Sequence, residues 1–219
     1  DLLWGFPVHI IFALMLNEVK DGWFKRTTQT VSYLPHFISV VVVVGMLFNF
    51  LSPTSGIVNK FVMMLGREPI SFLNDPKWFR TIYVASSVWQ SFGWNSIVYL
   101  AAITSIDPQL YEAAKIDGCN RLQQILYITI PGILPTVIIL LILRVGSLLN
   151  VGYQKIILMY NPATYEVADV ISTYVYRRGI LGAEYSFAAA VGLFNSVVNF
   201  VFLWITNRLS KKTADISLW

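Results

Sequence analysis

Charged residues are scarce in this sequence of 219 residues. Asp, Glu, Lys and Arg make up 13% of it, whereas hydrophobic residues make up 56%. Soluble globular domains carry roughly 25% charged residues, so this composition excludes a soluble globular enzyme. It also excludes a disordered chain, because disordered segments are poor in apolar residues. The net charge of +4 is typical of a membrane protein with basic loops rather than of a nucleic-acid-binding protein.

Cysteine and the common catalytic motifs are also nearly absent. The single cysteine, Cys119, excludes an intrachain disulfide and a thiolate zinc site. His9 and His36 are isolated and lack H-E-x-x-H spacing, so we predict no metal site. The sequence has no G-x-S-x-G motif and no paired carboxylates suited to catalysis. It has no G-x-x-x-x-G-K-[ST] motif, so it cannot hold ATP by a P-loop, and we expect no cofactor in this chain.

What the sequence does contain is long uncharged runs. Runs of 33, 26, 22 and 23 residues occupy positions 27–59, 81–106, 122–143 and 185–207. Each exceeds the roughly 20 apolar residues that a helix needs to cross a bilayer. A further run of 16 residues, 2–17, would form a helix of only about 24 Å. We interpret it as the end of a span whose beginning is missing, with a cleaved signal peptide as the alternative.

These runs predict an all-α integral membrane protein, because barrel strands have about 10 residues of alternating polarity. The β-branched run 40–44 is interpreted as part of a lipid-facing helix. Basic residues in the compact loop 18–30 and in the tail 207–219 favour a cytoplasmic location for both. The predicted spans are about 2–17 (partial), 31–51, 82–105, 131–152 and 186–206.

One compact loop between two predicted spans has the most informative pattern. Asp107 is a good helix N-cap and Pro108 suits the first helical position. Gly118 can adopt a positive φ and end the helix. A second helical run, 122–130, then leads to Pro131. An ordinary capped helix at the membrane interface would explain the same residues without a further function.

The loop also resembles the loop motif of permease subunits of binding-protein-dependent ABC importers, which is E-A-A-x-x-x-G followed after nine residues by I-x-L-P. Ile130 stands where Leu is usual, and Cys119 stands where a small residue such as Ala is common. Segments 33–39, 106–108, 131–136, 160–170 and 217–219 resemble the carbohydrate branch of these permeases, so the resemblance covers essentially the whole chain. The matching motif residues are Glu112, Ala113, Ala114, Gly118, Ile128 and Pro131.

The resemblance implies a fold, a mechanism and partners. The fold is a polytopic helical bundle of the type I ABC importer permease kind, one transmembrane domain over 1–219 with about five of six expected spans. Loop 107–130 would be cytoplasmic and dock on the ATPase, and loops 52–80 and 153–184 would face outward.

The implied partners are a second permease in a hetero- or homodimer, two ATPase subunits that bind ATP and Mg, an extracellular solute-binding protein and membrane lipid, with no nucleic acid. The implied location is a bacterial plasma membrane, crossed several times. The implied ATPase-coupling residues are Glu112, Ala113, Ala114, Asp117, Gly118 and Pro131.

Polar residues within the spans are candidates for a substrate pathway. Amides beside aromatic rings suit a sugar, and a charge inside a span usually faces a partner or a water-filled cavity. Helix–helix packing is the alternative for the amides, and snorkelling to the headgroups is the alternative for the arginine. The candidate pathway residues are Gln90, Trp94, Asn95, Arg144, Asn150 and Tyr153.

Import of a carbohydrate, in particular an oligosaccharide, is therefore the leading hypothesis. A permease for glycerol phosphate or a peptide is an alternative within the same family. An integral-membrane enzyme would need a cluster of His, Asp or Glu, and we identify none in the sequence. An ATP-independent channel or secondary transporter would have no need of the 107–130 motif.

Overall fold

The computed structural model describes residues 2–219, and this part of the chain is helical, without a β-strand. The prediction of an all-α fold is therefore confirmed. A 3₁₀ turn spans Leu34–Phe37, and π-helical turns span Ile125–Thr129 and Tyr176–Leu181. The α-helices are α1 (Leu2–Glu18), α2 (Trp23–Tyr33), α3 (Val40–Leu51), α4 (Ile57–Met64), α5 (Pro76–Thr104), α6 (Pro108–Ile116), α7 (Arg121–Gln124), α8 (Ile130–Val145), α9 (Tyr153–Met159), α10 (Tyr165–Ala168), α11 (Ile171–Val175) and α12 (Tyr185–Ala214).

Two stretches of the described chain are long and apolar enough to cross a membrane. They are Arg121–Val145, which joins α7 to α8, and Tyr185–Ala214, which is α12. Helix α1 is apolar but shorter. Helix α5 has 29 residues and contains the predicted span 82–105 except for its last residue, but with its Ser, Gln and Asn side chains it is not one of the two stretches above. Helix α8 ends at Val145, earlier than the predicted span 131–152.

The predicted span 31–51 is divided by a sharp bend. The helical segments Trp23–Phe37 and Val40–Leu51 meet at 100°, and together they could form a third, broken span. Pro35 lies in the 3₁₀ turn between them, where its fixed φ and missing N–H disfavour a continuous α-helix. Ser39 then caps α3, because its side chain accepts a hydrogen bond from the Val42 N–H. The predicted span 31–51 therefore contains the end of α2 and the whole of α3 rather than one helix.

The chain divides into two compact units, each built from separate segments. Unit 1 contains the chain through His36, Val88–Leu148 and Val198–Trp219. Unit 2 contains Phe37–Ser87 and Leu149–Val197. The core of unit 1 joins α1, α5 and α8 through the buried side chains Ala13, Tyr99, Ile103 and Ile133.

A close approach of α2 to α5 organises part of unit 1. A Cβ atom at Gly93 on α5 would collide with the backbone carbonyl of Ser32 on α2. The absence of a side chain at Gly93 therefore allows the two backbones to pack directly. The His36 and Trp94 rings stack nearby, with centroids 4.6 Å apart and parallel planes.

Unit 2 has its own apolar core and a buried amide. Asn59 on α4 is fully buried, and its Nδ2 donates to the carbonyls of Leu51, Ser52 and Ile70 at 3.0–3.1 Å. Its Oδ1 accepts from the Ile70 N–H at 2.7 Å. Asn59 thus satisfies backbone groups on both sides of α4. The buried apolar residues of this core are Val44, Phe72, Phe79, Ile82, Ile156, Met159 and Ala168.

A second amide joins the two long loops within unit 2. Asn161, in the loop 153–184, donates to the Leu73 carbonyl at 3.1 Å and to Asn74 Oδ1 at 2.9 Å. Both acceptors belong to the loop 52–80. The two loops are therefore held together by hydrogen bonds.

Candidate functional site

The start of α6 follows the prediction for the 107–130 loop. Asp107 Oδ1 accepts a hydrogen bond of 2.9 Å from the Gln109 N–H. Pro108 occupies the first turn, where its missing N–H costs no helical hydrogen bond. The helix start is therefore fixed by residues adjacent in sequence.

The end of α6 is a tight, glycine-dependent reversal. The helix ends at Ile116, and Gly118 follows with a φ of +79°. Only glycine adopts this left-handed conformation without a steric cost. The Cys119 N–H donates to the Ala114 carbonyl at 2.8 Å and closes the helix end. The predicted stop at Gly118 is confirmed.

After the reversal, the chain forms a continuous helical segment into the apolar stretch. Asn120 and Gln123 cap α7 reciprocally, with side-chain-to-backbone hydrogen bonds of 2.9 and 2.8 Å. A π-helical turn follows directly before α8, near Pro131, whose missing N–H interrupts the regular hydrogen-bond pattern. The hydroxyls of Tyr111 and Thr129 lie 2.9 Å apart, so α6 is bonded to this π-helical turn.

The surface of α6 is largely open. None of its residues is buried, and Ala114 is half-buried. Ile116 is 87% exposed, an unusual position for a large apolar side chain. Ile116 is not one of the predicted coupling residues, although its place between Ala114 and Gly118 could have indicated a contact surface. The other predicted coupling residues, Glu112, Ala113, Asp117, Gly118 and Pro131, are exposed.

Three of the predicted pathway residues line one cavity in unit 1. Trp94, Asn95 and Arg144 border a cavity of 320 Å³ formed by α1, α5 and the end of α8. His9 also lines it, and its Nε2 lies 3.4 Å from Asn95 Nδ2. The cavity thus combines an indole ring, an amide, an imidazole and a guanidinium. His9 was not among the predicted pathway residues, because nothing local in the sequence shows that α1 meets α5 at this point.

The other predicted pathway residues do not line this cavity. Gln90 is on α5 but is not part of its wall, whereas Asn150 and Tyr153 belong to unit 2. Tyr153 stacks on Tyr176 with ring centroids 5.4 Å apart, beside a cavity of 240 Å³. Asn195 lines that cavity and donates to Asn150 Oδ1 at 3.3 Å. The predicted set therefore divides between the two units.

An ion pair between Asp169 and Arg177 stabilises the segment that contains α11. Arg177 binds both carboxylate oxygens of Asp169, at 2.9 and 2.7 Å. The Arg177 guanidinium holds the pKa of the Asp169 carboxyl below its usual range. Thr173 is fully buried, and its hydroxyl donates to the same carboxylate. This cluster holds the first turn of α11.

Comparison with known proteins identifies the class to which this architecture belongs. Residues 5–215 match the family described as the binding-protein-dependent transport system inner membrane component. The match covers nearly the whole chain, including the loop that contains α6. The chain belongs to this family, and the prediction of a permease of a binding-protein-dependent importer is confirmed.

Individual relatives agree with that assignment. The chain is 42% identical over 214 residues to the polygalacturonan/rhamnogalacturonan transport system permease protein YteP of Bacillus subtilis, covering 98% of this chain and 67% of that protein. A bacterial alginate ABC transporter, crystallised with an alginate pentasaccharide-bound periplasmic protein, contains a chain 49% identical with a TM-score of 0.95, covering 99% of this chain and 75% of that one. A second structure, of a bacterial ABC transporter that imports the acidic polysaccharide alginate, gives 50% identity, a TM-score of 0.93 and coverage of 97% and 74%.

Proposed function

We propose that this chain is a permease subunit of an ABC importer that moves an acidic oligosaccharide across the bacterial plasma membrane. A second permease would complete the pathway, a solute-binding protein would deliver the sugar, and two ATPase subunits would bind ATP and Mg. The relatives named above carry acidic polysaccharides or belong to systems that do. That shared chemistry supports the substrate class.

The link between α6 and α8 is the observation that carries the proposed mechanism. A short helix with an open surface is capped at both ends and bonded through Tyr111 and Thr129 to the helix that reaches Arg144. A displacement of α6 by an ATPase would therefore be transmitted to the membrane segment through a hydrogen-bonded connection rather than through flexible loops. Glu112, Ala113, Ala114, Asp117 and Gly118 would form the contact, and Pro131 would mark the entry to the span.

The cavity of unit 1 is the proposed sugar path within this subunit. Its Trp94 ring could stack on the C–H face of a sugar, and Asn95 could bond hydroxyls. Arg144 lines the same cavity and would bind a negatively charged group of the sugar there, since a charge in a membrane segment usually faces a partner or a water-filled cavity. Gln90, Asn150 and Tyr153 remain further candidates. An Arg144→Leu variant with unchanged transport would contradict the role of Arg144.

The test uses the full-length parent protein, purified from membranes with its partners. Wild type should co-purify with an ATPase and a second permease, and ATP hydrolysis should rise when binding protein loaded with uronic-acid oligosaccharide is added. Glu112→Lys and Gly118→Pro should reduce both. Glu68→Lys, at an exposed acid of unit 2, is the matched charge-reversal control and should leave ATPase recovery unchanged.

The alternatives predict different results in the same preparation. Stimulation by glycerol phosphate or a peptide, and not by the oligosaccharide, would keep the importer and replace the substrate. Sugar movement into vesicles without ATP would favour a channel or a secondary transporter. Purification of the chain alone, with identical variants, would contradict the importer.

A further inference from the structure

Unit 2 contains a buried lysine that the proposed mechanism has not used. Lys155, in the first turn of α9, is only 6% exposed. Its Nζ donates to Ser87 Oγ at 3.0 Å and lies 5.4 Å from the centre of the Tyr83 ring. Both partners are neutral and belong to α5. Lysine is almost never buried to this extent unless it is paired with an acid.

Among the residues that the structure describes, no carboxylate forms an ion pair with this ammonium group. Within residues 2–219, none lies within 4.0 Å of Lys155 Nζ, and Asp169 in the same unit is engaged by Arg177. Helix α3, which packs against α9, has no titratable side chain, and α11 contributes only Tyr174. Burial lowers the pKa of the Lys155 ammonium to about 8, so it is still mostly protonated at pH 7. The unit therefore holds a desolvated positive charge without a counter-charge of its own.

The position of Ser87 connects this lysine to the polar face of α5. Ser87, Ser91 and Asn95 follow one another at intervals of four residues, so they share one face of that helix. Asn95 is one of the pathway residues predicted from the sequence. Residues 150–152, including Gly152, are not helical and precede the first turn of α9, which contains Lys155.

We infer that Lys155 is a specificity-determining residue whose ammonium group binds a carboxylate of an acidic oligosaccharide during its passage. This inference rests on the proposed function and assigns a residue to its anionic substrate. The substrate supplies the missing counter-charge, and Ser87 holds the ammonium in place between transport events. A neutral oligosaccharide would gain less from Lys155, since its hydroxyls can accept hydrogen bonds from the ammonium group but cannot neutralise the charge.

The first test compares charge and shape at position 155 in the complete importer in proteoliposomes. Lys155→Gln should lower the import of uronic-acid oligosaccharide at least tenfold, and Lys155→Arg should retain most of it. Lys60→Gln, at an exposed lysine of the same unit, is the control and should match wild type. Equal losses in the Gln and Arg variants would indicate a packing role and overturn the inference. Unchanged import in Lys155→Gln would overturn it too.

A second test restores the charge chemically. In a Cys119→Ser background, Lys155→Cys is treated during turnover with methanethiosulfonate reagents that add an aminoethyl, a propyl or a sulfonatoethyl group. The aminoethyl group should restore import, and the other two should not. Equal rescue by the neutral propyl group, or no modification during turnover, would overturn the inference, because a substrate-binding group must become accessible in the pathway.

The two tests separate this inference from the proposed function. If wild-type importer fails to take up uronic-acid oligosaccharide with ATP and binding protein present, the proposed function is wrong. If wild type imports it and the position 155 variants do so equally well, only the role of Lys155 is wrong.

Discussion

The hydroxyl groups of Tyr111 and Thr129 lie 2.9 Å apart and join α6 to the π-helical turn that leads into α8. Thr129 is 1% exposed, so the bond is shielded from water and holds its geometry. The partners are 18 positions apart in the sequence, and the glycine reversal lies between them. The hydrogen bond closes this reversal into a small rigid unit. Any force applied to α6 then acts on α8 through two connections, the chain itself and this bond.

Removal of the Tyr111 hydroxyl should weaken this second connection. In Tyr111→Phe, we expect a loss of stability of about 1 kcal/mol from the missing hydrogen bond. The sugar imported per ATP hydrolysed should fall, because α6 can then move without α8. Tyr127→Phe is the control, since Tyr127 on the same π-helical turn is 76% exposed. Parallel transport and ATPase assays would measure the ratio, and an unchanged ratio would contradict the role of the bond.

Gly118 should tolerate no side chain, for a conformational reason. Nothing lies within 4 Å of an added Cβ, so Gly118→Ala produces no clash. Its φ of +79° nevertheless costs a non-glycine residue roughly 1–2 kcal/mol. Gly45→Ala, in open space within α3, should instead stabilise by about 0.5–1 kcal/mol. Thermal unfolding in nanodiscs should show opposite shifts for the two variants, and shifts of the same sign would refute this explanation.

Asn59 should be the most sensitive polar residue of unit 2. In Asn59→Ala, the carbonyls of Leu51, Ser52 and Ile70 and the Ile70 N–H lose a buried partner. A buried unsatisfied group costs about 1–3 kcal/mol, so we expect destabilisation at or above that range. Asn49→Ala, at an exposed asparagine on α3, should cost far less. Limited proteolysis of the loop 52–80 would detect the difference, and equal cleavage rates would argue against Asn59 as its anchor.

Because Lys155 is charged, the rate of import should depend on pH in the alkaline range. With a pKa of about 8 in the folded protein, Lys155 loses its proton as pH rises through 8, and import of an acidic oligosaccharide should fall there. Lys155→Arg should shift this fall to higher pH, because the guanidinium stays charged. Import measured from pH 7 to pH 9.5 provides the check, and identical profiles for the two proteins would contradict it.

Folding stability should rise over the same alkaline pH range in which import falls. An unfolded lysine keeps its proton up to about pH 10.4. Between pH 8 and that value, the unfolded chain binds more protons than the folded chain, so folding stability rises with pH. Below pH 8 both states are protonated, and the cost of burying the charge is constant. Lys155→Gln should remove this rise from unfolding curves in urea, and its persistence would assign it to another group.

The loop 107–130 was predictable because its determinants are local. Asp107, Pro108 and Gly118 act on the backbone within a few residues, through one side-chain hydrogen bond, one fixed φ and one positive φ. The helices α8 and α12 were predictable for a similar reason, since a long apolar run has one favourable environment. The division of the predicted span 31–51 was less evident, because the β-branched run 40–44 obscured the helix break at Pro35.

The grouping of the polar residues depended on contacts that no local pattern encodes. Trp94, Asn95 and Arg144 share a cavity because α1, α5 and α8 converge there, and His9 joins them for the same reason. Tyr153 instead lies with Tyr176 and Asn195 in unit 2. A list of polar residues within spans could not separate these two sets.

The sequence alone therefore determined the environment of the chain, its helical class, its family and the capped helix of its motif loop. Each depends on composition or on interactions between residues close in sequence. Only the tertiary structure decided which side chains are buried from solvent. Lys155 is a basic loop residue in the sequence, but it is buried against Ser87, 68 residues away. Lys155 is buried by surfaces that meet only after the chain has folded. The resulting loss of water around its ammonium group is the basis of its proposed role.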